Sequence, residues 1–192
     1  MNRLSKFAII SISITLLSCN NNNKIENEQE PTSQSEQQVT KPKRVLKIPI
    51  FNNPKELLNK LSKNGIGELK GWENPEEMGW GSLTDYYFFG EKKDGFGMQN
   101  NLAYYIEGEE NFAKIVLLNL NINNAKSKKD AVKLFSETAE KTFKTLEIET
   151  PKGVLSAIKN FENYKTENNN FSTKLSIEKY KIEVMKLEIV SN

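Results

Sequence analysis

Apolar residues recur at helical spacing in three segments of the chain. Asn53 and Pro54 suit the start of a first helix and Gly65 suits its end, because asparagine caps helix N-termini and glycine readily adopts the left-handed conformation that follows a C-terminus. A second helix is expected after Ser127 and a shorter third helix after Pro151. The three buried stripes are predicted to be Leu57, Leu58 and Leu61; Ala131, Leu134, Phe135, Ala139, Thr142, Phe143 and Leu146; and Val154, Leu155, Ile158 and Phe161.

Other segments have the composition or the alternation that is typical of β-strands. The central candidates are residues 83–89, 102–107 and 112–122, with turn sequences at 93–95 and 108–111. Near the C-terminus, hydrophobic residues alternate with polar ones, with a slip in the pattern near Met185. The alternating positions there are Phe171, Thr173, Leu175 and Ile177, then Tyr180, Ile182 and Val184, and finally Leu187 and Ile189.

Together these elements predict an α+β fold, with an antiparallel sheet of about five strands and two or three helices packed on one face. Lysine and glutamate fill many alternate positions of the C-terminal strands, so the opposite sheet face is expected to be solvated there. The hydrophobic pattern does not determine the order of the strands.

The start of the chain has a different pattern. Arg3 and Lys6 precede an apolar run over residues 7–17, which is long enough for the hydrophobic region of a secretion signal and too short to span a bilayer. Leu16, Leu17 and Ser18 then lead into Cys19, the only cysteine of the chain, so the predicted domain contains no disulfide.

The sequence Leu16-Leu17-Ser18-Cys19 resembles the lipobox of bacterial lipoproteins. The resemblance implies that residues 1–18 are a signal peptide, that Cys19 is lipidated, and that the mature chain is anchored through this lipid to a membrane of the bacterial cell envelope, with its domain outside the cytoplasm. An uncleaved N-terminal anchor helix, or an ordinary signal with a chance cysteine, are the alternatives.

Residues 20–44 are rich in asparagine, glutamine, glutamate and lysine, which is typical of a flexible tether. The predicted organisation is therefore a signal peptide (1–18), a lipidated cysteine with its tether (19–44) and one domain (45–192). The chain has 27 Lys and Arg against 25 Asp and Glu, and removal of the signal leaves 25 of each. This balance argues against a nucleic-acid partner, which favours a basic surface.

The residues available for chemistry are few. The sequence has no histidine, which excludes histidine-based nucleophilic catalysis and histidine-based metal sites, and it has no phosphate-binding loop motif. We therefore predict no catalytic residue, metal ligand or cofactor. The remaining enzymatic alternative is a carboxylate-dependent hydrolase that pairs Asp85 with one of four glutamates, Glu73, Glu76, Glu77 or Glu107.

Aromatic residues are concentrated between residues 72 and 112, among several glycines. Because adjacent strand residues point to opposite faces, Tyr86 should share a face with Phe88, whereas Tyr87 shares the other face with Phe89, and Tyr104 and Tyr105 should split in the same way. The candidate partner-binding residues are Trp72, Trp80, Tyr86 and Tyr105. The alternative for the two tryptophans is that they cover the second face of the sheet.

The leading functional hypothesis is a non-catalytic binding module displayed from a membrane, with a protein or glycan partner. The alternatives are a structural envelope lipoprotein and, third, the carboxylate-dependent hydrolase.

Overall fold

Three helices and seven strands are formed by the residues that the computed structural model describes, 46–92 and 97–192. The helices are α1 (Pro54–Ser62), α2 (Lys128–Thr145) and α3 (Val154–Asn160). The strands are β1 (Trp80–Leu83), β2 (Tyr87–Phe89), β3 (Asn100–Glu109), β4 (Phe112–Ile122), β5 (Tyr164–Glu167), β6 (Phe171–Lys179) and β7 (Glu183–Ser191). The predicted signal peptide, Cys19, the tether and the predicted turn at 93–95 lie outside the described residues.

The seven strands form one antiparallel sheet in the order β1-β3-β4-β7-β6-β5, and β2 also pairs with β3. A β3–β4 hairpin lies beside a β5–β6–β7 meander, and the pairing of β4 with β7 joins them. The predicted class, an antiparallel α+β fold with helices on one face, is confirmed. The described residues contain seven strands rather than about five.

The hydrophobic core lies between the helices and one face of the sheet. Leu118 of β4 is paired with Tyr104 of β3 and with Leu187 of β7, so all three side chains point to this side. Phe135 and Phe143 of α2 are fully buried in the same core. The buried residues of α1 and α3 are Pro54, Leu57, Leu58 and Leu61, and Val154, Ala157 and Ile158.

The predicted helix starts are largely confirmed. Asn53 caps α1 through its side-chain oxygen, which accepts a hydrogen bond from the backbone of Glu56. Ser127 is the N-cap residue of α2 but makes no side-chain capping bond. Its hydroxyl instead accepts a hydrogen bond from Asn100, which ties the start of α2 to β3.

The prediction of one strand over residues 83–89 is wrong, because the chain breaks there into β1 and β2. Both short strands pair with β3, and residues 84–86 connect them. At the break, the Tyr104 backbone N–H donates a hydrogen bond to the Thr84 hydroxyl (3.0 Å). This hydroxyl takes the place of the backbone carbonyl that a continuous edge strand would supply. The backbone N–H of Thr84 donates to the Tyr104 carbonyl, so both peptide groups remain bonded.

Two details near the C-terminus also differ from prediction. Tyr180 and Ile182 belong to the turn between β6 and β7. β7 then runs without a bulge from Glu183, and Met185, Leu187 and Ile189 face the core, so no slip occurs near Met185. β5 was not predicted, since Tyr164 is its one hydrophobic residue.

No helix among the described residues is both long enough and apolar enough to cross a membrane.

Candidate functional site

Adjacent tyrosines of β3 lie on opposite sides of the sheet. Tyr104 is fully buried, and its hydroxyl accepts a hydrogen bond from Asn64 (3.0 Å) and is hydrogen-bonded to Thr142 of α2. Burial raises the pKa of Tyr104, although these two hydrogen bonds oppose the shift. Tyr105 lies on the side away from the helices and is half-buried, so the predicted split of the pair is confirmed.

The surface opposite the helices, which we call the uncovered face, is organised in four rows that cross the strands. The rows are Phe88, Asn101, Asn121, Val184 and Glu178; Ala103, Asn119, Lys186 and Ser176; Leu83, Tyr105, Leu117, Glu188 and Lys174; and Gly81, Glu107, Ile115, Val190 and Ser172. Apolar, aromatic and amide side chains predominate on β1 to β4, whereas charged and hydroxyl side chains predominate on β6 and β7. The face therefore has two chemically different halves.

Four residues at the β1–β2 edge form what we call the aromatic patch: Leu83, Tyr86, Phe88 and Tyr105. Tyr86 is 50% exposed, Phe88 is 53% exposed and Leu83 is 42% exposed. The Tyr86 and Phe88 rings meet edge to face with their centroids 6.1 Å apart. The Tyr105 hydroxyl donates a hydrogen bond to the Tyr86 hydroxyl (3.3 Å). Burial, then the hydrogen bond and charge interaction with Tyr86, raise the pKa of Tyr105 to about 12.

The rings on the other side of the same segment behave differently. Tyr87 and Phe89 stack with centroids 6.2 Å apart, and Phe89 packs against the core. The predicted division of these four rings between the two faces is therefore confirmed. Tyr86 and Phe88 are left on the side where no helix of the described residues covers them.

An amide group follows the aromatic patch along the sheet. Asn101 lies opposite Phe88, and its side-chain oxygen accepts a hydrogen bond from Asn121 (2.8 Å). Asn119 lies between Ala103 and Lys186 in the next row and is only 8% exposed. Among the described residues, no side-chain hydrogen bond of Asn119 is formed. These amides therefore provide a neutral, polar floor beside the rings.

A shallow depression of about 700 Å³, which we call the edge depression, continues the patch along β1. Its lining consists of Lys70, Gly71, Glu73, Pro75, Met78, Gly79, Trp80, Gly81, Ser82, Leu83, Tyr105, Ile106, Glu107 and Gly108. Gly81 is one of the lining residues, and a Cβ there would lie 2.8 Å from the Ile106 carbonyl oxygen, so a larger residue would require the backbone to shift. Leu83 and Tyr105 belong to both the aromatic patch and the depression.

The two tryptophans have different environments. The Trp72 indole N–H donates to the carbonyls of Glu109 and Glu110 (3.2 and 3.1 Å), and its ring packs against the core. Trp80 is half-buried at the start of β1 and lines the edge depression. Of the four predicted partner-binding residues, the structure brings Tyr86 and Tyr105 into contact and places Trp80 nearby, whereas Trp72 fastens the β3–β4 turn.

The carboxylates of the enzymatic alternative do not all lie in one place. Asp85 is exposed and forms an ion pair with Lys70 (2.8 Å). Glu73 and Glu107 line the edge depression, and both are register partners of Gly81. Glu76 and Glu77 belong to the preceding 3₁₀ turn. In the described part of the chain, no group of three or more metal-ligating side chains is close enough to hold a metal ion.

A second concavity, of about 890 Å³, lies between the start of α2 and α3. Lys126, Lys129, Lys133 and Lys159 are among its lining residues, together with Asp130, Glu137 and Glu140. Lys128 also lines it, but its ammonium pairs with Glu183 (2.8 Å) and stacks on the Phe161 ring. The mixed charges of this cleft make it less distinctive than the aromatic patch.

Several residues of this region carry no signal of their role in the sequence. Leu83, Phe88 and Asn119 are not among the predicted partner-binding residues, although the alternation places Phe88 on the same face as Tyr86. Their common location depends on the register of β1 and β2 against β3, which has no local signal.

Comparisons with protein-family models, with curated proteins and with solved structures returned no match for this chain.

Proposed function

We propose that this protein is a membrane-anchored bacterial lipoprotein whose domain is a non-catalytic binding module, and that its partner docks on the aromatic patch. The observation that carries the proposal is the exposure of the Tyr86 and Phe88 rings, side by side on a sheet face. Aromatic side chains bring large contact area at a low entropic cost when they are already held in place.

The packing of the patch supports this role. Tyr86 is held by contacts to Phe88 and by the Tyr105 hydroxyl, so its ring is partly ordered before a partner arrives. Ordering in the free state reduces the free energy that binding must supply. The adjoining edge depression adds Trp80 and two carboxylates to the same surface.

The binding proposal is tested by photo-crosslinking to isolated cell envelopes. A photoreactive phenylalanine analogue is placed at Phe88 and, as the matched control, at Tyr180, which is 85% exposed in the β6–β7 turn. We expect saturable crosslinking at position 88 that unlabelled protein competes away, and only background at position 180. Equal yields at the two positions would contradict a specific partner site.

The anchoring proposal rests on the lipobox-like sequence and is tested separately. Lipid attachment requires the Cys19 thiol, so Cys19→Ser should remove the protein from the membrane fraction or leave it unprocessed. The measurement is fractionation with mass spectrometry of the N-terminus, beside Ser18→Ala, which keeps a small residue before the cysteine and should remain lipidated. Normal cleavage and membrane retention of Cys19→Ser would refute the lipoprotein assignment.

One observation favours a second candidate, a carboxylate-dependent hydrolase. Glu73 and Glu107 line the same depression, and both are register partners of Gly81, so their backbones lie on either side of it. Most glycoside hydrolases use a pair of carboxylic acids that flank the scissile bond. Release of reducing ends from polysaccharides, lost in Glu107→Gln and kept in Asp85→Asn, would support it.

A further inference from the structure

The aromatic patch is narrow and is bounded by polar groups. Tyr86 and Phe88 lie at the edge of the sheet, and Asn101 and Asn121 follow Phe88 directly in its row. On the other side, Glu73 and Glu107 line the edge depression. A broad apolar partner would have to bury the carboxylates, and the amide donors and acceptors that the Asn101–Asn121 bond leaves over, without hydrogen bonds, which is costly. A ligand that carries both apolar and hydrogen-bonding faces avoids this cost.

The amide floor indicates which hydrogen bonds the ligand makes. Asn119 is more than nine-tenths buried on the uncovered face, and no described residue bonds its side chain. Its amide atoms are not among the fully enclosed side-chain atoms that lack a partner, so they reach solvent on this face and are available to a ligand that supplies both donors and acceptors. Hydroxyl groups have this dual character.

The charges of the face indicate a neutral ligand. The nearest charged side chains beyond the amides, Lys186 and Glu178, are paired with each other at 2.6 Å. Lys70, whose backbone N–H bonds the Leu83 carbonyl beside the aromatic patch, is paired with Asp85. No unpaired cation of the described residues therefore stands in the two amide rows to attract an acidic polymer.

We infer that the uncovered face binds a neutral glycan, with the Tyr86 and Phe88 rings stacked on sugar rings and the amides of Asn101, Asn119 and Asn121 bonded to sugar hydroxyls. This inference rests on the proposed binding function and names its ligand class. The apolar C–H face of a pyranose matches an exposed aromatic ring, and its hydroxyls match the amides. From Glu107 to Asn101 the surface extends about 20 Å along β3, enough for several sugar units.

The test uses the full-length protein purified in mild detergent and a panel of neutral oligosaccharides built from glucose, mannose, xylose or N-acetylglucosamine. Binding is measured by calorimetry. We expect at least one member to bind, with an affinity that changes less than about twofold when NaCl is raised about tenfold, because no ion pair is broken. Absence of binding by the whole panel, or a steep loss of affinity with salt, would overturn the inference.

Matched variants locate the site. Phe88→Ala and Tyr86→Ala should each weaken binding at least about tenfold, whereas Phe88→Tyr, which keeps a ring, should retain it. Tyr87→Ala is the control, because this ring is 41% exposed on the other side of the same strand. Asn119→Ala should weaken binding by about fivefold, in line with the loss of one hydrogen bond. An equal loss in Tyr87→Ala and Phe88→Ala would overturn the assignment.

Failure of this inference is distinguishable from failure of the proposed function. If no glycan binds but crosslinking at position 88 still exceeds that at position 180, the glycan assignment is wrong and the binding face stands. If crosslinking is also equal at both positions, the binding face itself is wrong.

Discussion

The two faces of the sheet use adjacent residues of the same strands in different ways. On the helix side, Tyr104 is fully enclosed and both partners of its hydroxyl are protein groups. On the uncovered side, Tyr105 lines an open depression, and its hydroxyl donates to Tyr86, a half-exposed ring. The period of two along a strand separates these environments completely. Substitutions on one face should therefore change stability, and those on the other should change binding.

The largest expected difference is between Tyr104 and Tyr105. Tyr104→Ala should lower the free energy of unfolding by about 3–5 kcal/mol, because it leaves a cavity under α2. Tyr105→Ala should cost about 1 kcal/mol, since the side chain is partly solvated. Urea denaturation of both variants measures the difference. Equal losses would show that the uncovered face is as important to folding as the core.

Trp72 and Trp80 provide the next contrast. Trp72→Ala should cost about 2–3 kcal/mol, because the ring packs on the core and its N–H bonds two turn carbonyls. Trp72→Phe keeps a ring and should recover part of this loss. Trp80→Ala should cost less than Trp72→Ala in the same denaturation experiment. The reverse order would show that Trp80 stabilises the fold more than Trp72 does, and Trp72 would then be the better candidate for partner binding.

Phe89 and Phe88 test the same idea within one short strand. Phe89→Ala should lower stability by about 2 kcal/mol, because its ring packs against the core. Phe88→Ala should stay within about 0.5 kcal/mol of the parent protein, since the ring is more than half exposed. Thermal unfolding of the two variants is sufficient. A larger loss for Phe88→Ala would mean that the aromatic patch stabilises the sheet edge.

The smallest expected effect is on the alkaline stability. The pKa of Tyr105 is about 12 in the folded protein and about 10 in an unfolded chain, so the unfolded state loses its proton first as pH rises. The contribution of protonated Tyr105 to the free energy of unfolding is fully present below about pH 10 and is lost as the pH rises through about 12. The Tyr105→Phe variant should therefore lose less stability than the parent protein as the pH rises from about 10 to about 12. Urea midpoints across this window measure it, and parallel curves would contradict the assignment.

Much of the helix-side architecture could be predicted because its signals are local. The apolar stripe of α2 and the bounds of β4 follow from residue spacing, and the Asn53 cap follows from neighbouring residues. The division of Tyr86 and Phe88 from Tyr87 and Phe89 follows from alternation alone. These features depend on contacts between residues close in sequence.

The uncovered face was less predictable because it is assembled by register. Leu83 meets Tyr105 only because β1 pairs with β3 in one alignment, and the break between β1 and β2 depends on hydrogen bonds between Thr84 and Tyr104. The structural role of Trp72, a candidate partner-binding residue from the sequence, has no local signal because its two carbonyl acceptors come from the distant β3–β4 turn. Composition indicates aromatic and polar groups but not which of them meet.

The division of the sheet edge into β1 and β2 also affects how two molecules meet in a crowded solution. β2 has three residues and β5, at the opposite edge, has four. The outer edge of β1 is already paired with Glu73 at Gly81, and Thr84 just after β1 is paired with Leu69. A second chain at either edge of the sheet could therefore form few backbone hydrogen bonds with it. The exposed rings of Tyr86 and Phe88 and the unpaired backbone groups do not lie together on one long edge strand. The domain can therefore expose these aromatic rings without an edge that favours strand-to-strand aggregation.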